Sequence, residues 1–170
     1  MSKSINELNS DLFSAEADDR FASPVEARKK AMDFLARREH GQVELINKLV
    51  TRGFLQDIAA EAVFRLTDQG LQSDQRFVEN FIQSRISQGK GPLRISQELG
   101  SRGLIVGLVD QVLGDLEVDW SDLARQVRLK KFGMRPPDEF KEKARQMRFL
   151  QYRGFDAEQI GVAMAVDQGQ

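Results

Sequence analysis

The sequence has no cysteine, and only one histidine, one tryptophan and one tyrosine. Without thiols, disulfide staples and thiolate metal sites are excluded, and a cytoplasmic protein is the simplest reading. No stretch approaches the roughly 20 uncharged apolar residues that a bilayer crossing requires. The first 21 residues, rich in Ser, Asn and Asp, contain no apolar run of signal-peptide type. Catalytic chemistry is also hard to assemble. His40 sits at a helix break, where it reads as a capping or surface residue rather than a base. Carboxylates are scattered singly, with no paired or metal-ligating constellation. Gly89-Lys90-Gly91-Pro92 superficially suggests a phosphate loop. It lacks the upstream glycine spacing and the hydroxyl after lysine, and Pro92 removes a backbone donor. It reads as an inter-helix turn with one exposed lysine. No enzyme, cofactor or metal is expected.

What the chain does contain is a repeat. Leu49-Val50-Thr51-Arg52-Gly53-Phe54 returns as Leu99-Gly100-Ser101-Arg102-Gly103-Leu104 and as Leu150-Gln151-Tyr152-Arg153-Gly154-Phe155, the glycines 50 and 51 residues apart. Such a period means one supersecondary unit built several times. Each copy reads as a helix end: an arginine suits the negative end of the helix dipole. A glycine then takes the left-handed stop, and an apolar residue returns to the core.

In chain order, residues 1–22 lack periodicity and read as a flexible acidic tail. Ser23-Pro24-Val25-Glu26 opens the first helix, with Ser23 as cap, Pro24 at the first position and Glu26 completing a capping box. Apolar stripes then predict a second and third helix on either side of Gly53. A fourth is capped by Ser73, a fifth has Pro92 in its first turn, and a sixth runs over 105–116. Asp119 or Ser121 opens the seventh, an eighth runs over about 138–153, and a ninth follows Asp156. No strand pattern interrupts them. The predicted fold is all-α: three tandem three-helix, helix-turn-helix-like repeats over 23–70, 71–117 and 118–170, in an elongated, curved row.

The net charge of −1 hides segregation. Residues 1–22 carry five carboxylates against Lys3 and Arg20. Residues 123–153 carry ten cations against Asp138, Glu139 and Glu142, a balance of +7. A face of that kind attracts polyanions or an acidic protein surface. One role open to the acidic tail is to screen it. On the eighth helix Phe140, Ala144, Met147 and Gln151 share one stripe, with Leu150 beside it, while Lys141, Arg145, Arg148 and Tyr152 form another. Phe149 aligns with Lys48 and Glu98, and Tyr152 with Thr51 and Ser101. Positions polar in two copies point to surface in the third, so aromatics among cations suggest a face for a protein or single-stranded nucleic acid. The bland reading is that Phe149 packs against a neighbouring unit. Arg52, Arg102 and Arg153 fit helix ends at least as well as function. The helices after the Arg-Gly turns are mostly apolar and acidic, so base reading is not expected; nucleic-acid contacts would be to phosphates.

Several motifs resemble a known family. Ala36-Arg37-Arg38-Glu39-His40, Gly89-Lys90-Gly91-Pro92-Leu93-Arg94-Ile95, Lys130-Lys131-Phe132-Gly133 and the run from Lys143 to Phe155 are similar to those of bacterial RecX regulatory proteins, in order, over about residues 24–165. Gly41 departs from the pattern, which has a small hydroxyl cap there. The resemblance implies a protein that lies on the RecA filament and inhibits ATP hydrolysis, strand exchange and stimulated repressor cleavage. On that reading the partner is RecA, with DNA, single- or double-stranded, touched through its backbone. The expected state is a monomer without a membrane association. The expected face comprises Arg85, Lys90, Arg94 and Arg102 from the second repeat. From the third it takes Lys130, Lys131, Lys141, Arg145, Arg148, Phe149, Tyr152 and Arg153. The alternative is a sequence-nonspecific nucleic-acid-binding helical protein acting without RecA.

Overall fold

The computed structural model describes residues 19–165, the Val106 side chain excepted. The expectation of a flexible tail over residues 1–18 lies outside them. Within them every regular element is helical: α1 (Pro24–Leu35), α2 (Gln42–Thr51), α3 (Gln56–Asp68), α4 (Asp74–Ser87), α5 (Pro92–Gly100), α6 (Val106–Asp115), α7 (Trp120–Phe132), α8 (Phe140–Arg153) and α9 (Ala157–Met164).

The helix boundaries follow local chemistry. Ser23 Oγ accepts the Glu26 N–H at 3.4 Å, Ser73 Oγ accepts from Arg76 at 3.3 Å, and Asp119 Oδ1 accepts from Asp122 at 2.9 Å. The reciprocal half of the predicted capping box is replaced: the Ser23 N–H donates to the Arg20 carbonyl at 3.3 Å. Residues 19–21 are themselves helical, and Phe21 meets Phe54 edge to face at 5.4 Å. Order therefore begins before Ser23. A complete capping box forms instead at α9, between Asp156 and Gln159.

All three Arg-Gly turns are helix stops. Gly53, Gly103 and Gly154 have φ of +105°, +75° and +95°, a region that side chains with a Cβ resist. The Phe54 and Phe155 amides donate back to the Leu49 and Leu150 carbonyls, each at 3.2 Å, satisfying groups that a helix end would otherwise orphan. Phe54, Leu104 and Phe155 are buried, as the repeat predicts.

The chain forms two compact units, one ending at Phe77 and one beginning at Val78. The first has a core from Ala27, Ala31 and Phe34 of α1, Leu45 and Leu49 of α2, Phe54, and Ala59, Ala62, Val63 and Leu66 of α3. Alanines on both α1 and α3 let these helices approach closely. In the second unit, α7, α8 and α9 close around Ala124, Leu150, Phe155, Ile160, Ala163 and Met164.

His40 is not the surface residue expected from sequence. It is 3% exposed, edge-on to Phe34, with Nδ1 3.3 Å from Glu44 Oε1. The bend after α1 turns the imidazole inward, where Phe34 supplies an apolar wall.

Candidate interaction surface

Candidate residues of the second unit are organised by one close junction. The Gly91 and Leu93 amides, at the start of α5, donate to the Arg153 and Gly154 carbonyls, at the end of α8, at 2.8 and 3.1 Å. Orphan donors of one helix thus satisfy orphan acceptors of another, and opposite dipole ends meet. A Cβ on Gly91 would overlap the Gly154 carbonyl, and one on Gly154 would overlap the Arg94 backbone and Cβ. The glycine-lysine-glycine-proline stretch is therefore a backbone docking point, not a phosphate loop. Arg153 reinforces it by donating to the Gln88 carbonyl at 2.8 Å.

Around the junction, Arg85 and Arg94 converge on Glu98 at 2.7 and 3.1 Å. Burial raises the Glu98 pKa, but hydrogen bonds from Arg85 and Arg94, with their charges, outweigh it and hold the carboxyl below its usual range. Arg85 and Arg102 stand over the Phe81 ring at 4.3 and 5.0 Å. The recurring arginine has the same use in each repeat: Arg52 stands over Phe34 at 5.9 Å and Arg153 over Phe149 at 5.1 Å. Its recurrence is explained by packing a cation on a ring at a helix end.

Two grooves flank α8. One, of about 600 Å³, is lined by Leu93, Arg94, Met147, Gln151, Tyr152 and Ile160 among others. Tyr152 is 70% exposed there, with the Arg94 guanidinium 5.5 Å from its ring. The other, of about 630 Å³, brings Lys130 and Lys131, from the last turn of α7, together with Val127, Phe149, Arg153 and the end of α4. Phe149 is half-buried and meets Phe132 edge to face at 5.2 Å. Its ring is thus largely a packing element within its own repeat. Lys141, Arg145 and Arg148 are exposed along α8, Arg145 pairing with Glu142 at 3.4 Å and standing over Phe132 at 5.3 Å. Lys90 is half-buried in its turn.

Two features escaped the sequence reading. Arg128, counted among the cations of the basic segment, is buried. Its Nε donates to Gln146 Oε1 at 3.0 Å, and Gln146 Nε2 donates to Glu142 at 3.1 Å. The signal was positional: Arg128 lies one turn after Ala124 on the inward stripe of α7. This relay draws Gln146 inward with Leu150 and turns the Phe140–Met147 stripe outward, leaving Phe140 88% and Met147 42% exposed. With Leu93, 58% exposed, these make the face partly apolar as well as cationic.

An all-helical chain of three-helix units presenting such a face defines a class, the helical-repeat protein whose working part is a surface. Family models place it further: the first RecX three-helix domain matches residues 27–66, the second 73–113 and the third 117–164. The chain belongs to the RecX family of regulatory proteins. Regulatory protein RecX of Pseudomonas entomophila (strain L48) is 48% identical over 139 residues, covering 82% of this chain and 90% of that protein. The Ectopseudomonas mendocina (strain ymp) protein of the same name is 45% identical, with coverage of 82% and 93%. The fold matches a crystal structure of RecX from Lactobacillus salivarius, with a TM-score of 0.70 and 18% identity over 83% of this chain and 94% of that one. A second crystal structure, of regulatory protein RecX, gives a TM-score of 0.69 at 19% identity over 94% and 77%. Among the described residues, no helix is long and apolar enough to cross a membrane.

Proposed function

We propose that this protein is a non-enzymatic, monomeric, cytoplasmic regulator that binds the RecA recombinase filament. It inhibits ATP hydrolysis, strand exchange and stimulated repressor cleavage, and so modulates recombinational repair and the SOS response. The observation that carries this reading is the outward face of α8. There Lys141 and Arg148 are exposed, and the exposed Tyr152 lines a groove with Leu93, Arg94, Met147 and Ile160. Cations steer an encounter with an acidic surface, and an exposed aromatic beside apolar side chains gives it affinity. Contacts to successive identical subunits add through effective concentration.

The test is DNA-dependent ATP hydrolysis by preformed RecA filaments, titrated with this protein below one molecule per RecA. Inhibition that persists with DNA in excess supports direct engagement, and inhibition that added DNA abolishes means competition for the strand. Charge reversal of Arg145 and Arg148 in a folded protein is expected to weaken inhibition at least tenfold, and unchanged inhibition would sink the assignment of this face. The exposure of Lys130 and Lys131 beside a groove favours a second reading, sequence-nonspecific binding of nucleic-acid phosphates without RecA. It predicts tight DNA binding that falls steeply with salt.

A further inference from the structure

The first unit carries a cation cluster that the proposed RecA-binding face does not use. Lys30 Nζ, Lys48 Nζ and the Arg52 guanidinium all approach one ring, that of Phe34, at 5.6, 5.0 and 5.9 Å from its centre. Three like charges gathered on one aromatic repel one another. Asp33 reaches Lys30 only at 3.9 Å, while Glu44, a turn before Lys48, is engaged by Arg38 and faces His40. Lys30 and Arg52 also line a groove of about 340 Å³ with Arg20, Lys29, Phe21 and Phe54. That groove sets four cations against Glu26 and Asp33. It has the chemistry for a carboxylate-rich peptide with an apolar residue or two.

We infer that this groove and the Phe34 cluster bind the acidic segment of residues 1–18 of the same chain. The segment carries Glu7, Asp11, Glu16 and Asp18 against Lys3, with Leu12 and Phe13 between the acids. The chain enters the described structure at residue 19, and the next two residues, Arg20 and Phe21, are themselves groove walls. Asp18 and Glu16 therefore start within a few residues of the cations. Leu12 and Phe13 can extend up to about 20–25 Å from residue 19, at roughly 3.3–3.6 Å per residue. Tethering at such lengths gives an effective concentration in the millimolar range, enough for a weak contact to be populated. The acidic segment thus screens the cations of the first unit, rather than the basic face of α8. The inference is independent of the RecA reading.

The cysteine-free sequence makes the test direct. A single nitroxide on Ser14→Cys in the full chain should broaden amide resonances around Lys30, Lys48 and Arg52 at least twofold more than those around Lys141 and Arg148. The effect should vanish in K30E/K48E and fade at high salt. Broadening confined to residues next to the label, or centred on α8, would overturn the inference. So would a K30Q/K48Q protein that keeps the broadening but loses affinity for an oligonucleotide, because the cluster would then be a nucleic-acid phosphate site. Lys30 and Lys48 are half-buried over the Phe34 ring, so circular dichroism against the parent chain verifies the fold of both double variants.

Discussion

Helices α2 and α5 occupy the same place in successive repeats, and each begins after a glycine with no side-chain cap of its own. They are completed differently. At α2, Asp74 from the start of α4 accepts the Gln42 N–H at 2.7 Å and also holds Gln72 Nε2 at 2.9 Å. A carboxylate from another helix thus fills the role of the hydroxyl cap expected at Gly41. At α5 the acceptors are the backbone carbonyls of Arg153 and Gly154. A side-chain cap leaves room, whereas a backbone cap demands contact between main chains. The same repeat therefore tolerates change at one glycine and not at the other.

The largest expected effect breaks this contrast at the junction. Gly154→Ala puts a side chain into the left-handed region and against the Arg94 backbone. Gly91→Ala drives a methyl into the Gly154 carbonyl. Strain and overpacking each cost on the order of 1–3 kcal/mol, so Gly154→Ala should lose about 3 kcal/mol or more in urea unfolding. Gly41→Ala meets the Phe77 ring at 3.4 Å and Asp74 Oδ1 at 3.7 Å, both at or near ordinary contact distance, with an ordinary φ of −66°. It should change stability by under about 1 kcal/mol. Equal losses at Gly91 and Gly41 would refute the backbone junction.

Asp74→Ala attacks the other side of the comparison. It removes the cap of α2 and leaves Gln72, 1% exposed, with one bond fewer. About 1–2 kcal/mol should be lost, with hydrogen-exchange protection falling in α2 and persisting in α7–α9. Asp74→Asn keeps an acceptor oxygen and should recover part of the loss.

Acid should also separate the units. Burial first, then the Arg38 charge, hold the His40 pKa below its ordinary 6.5, with Glu44 pulling weakly the other way. The folded imidazole stays neutral while the unfolded one takes a proton. Its contribution is therefore present above pH 6.5 and is lost as pH falls toward the folded value. Glu44 and Glu98 lie below their ordinary 4.5; burial raises both, but arginine hydrogen bonds outweigh it. Their contributions are present above 4.5 and lost below it. Between pH 7.5 and 5.5, exchange protection should weaken in α1–α3 and hold in α5 and α7–α9. A His40→Gln chain should lose that slope.

Much of this was legible in the sequence because it rests on local rules. Gly53, Gly103 and Gly154 announced their φ values, and Ser23, Ser73 and Asp119 announced helix starts, since a cap needs only its own turn. What stayed hidden depends on partners far along the chain. Nothing near Gly91 says that Gly154 lies against it, and nothing near Gly41 names Asp74. Arg128 read as surface because charge is a better guide to exposure than position until a buried acceptor such as Gln146 is present. The outward stripe of α8 was visible as a stripe, but not its direction: Gln146 and Leu150 face inward on one side, while Phe140 and Met147 face solvent on the other.

The smallest stability effect is expected at Tyr152, and it sharpens the contrast between packing and surface on the same helix. Phe149→Ala empties a half-buried ring contact with Phe132 and should cost about 1–3 kcal/mol. Tyr152→Ala removes an exposed ring whose one described ring contact is the Arg94 guanidinium at 5.5 Å. At an exposed site that contact is worth about 0.5–1 kcal/mol at most. The urea midpoint should therefore barely move. If α8 is the binding face, the same substitution should still weaken RecA inhibition about tenfold, because a buried aromatic anchor commonly carries more than 1 kcal/mol of association energy. Tyr152→Phe keeps the ring and should retain most of the inhibition. Loss of inhibition in Phe149→Ala, but not in Tyr152→Ala, would move the binding face to the groove of Lys130 and Lys131, on the other side of α8.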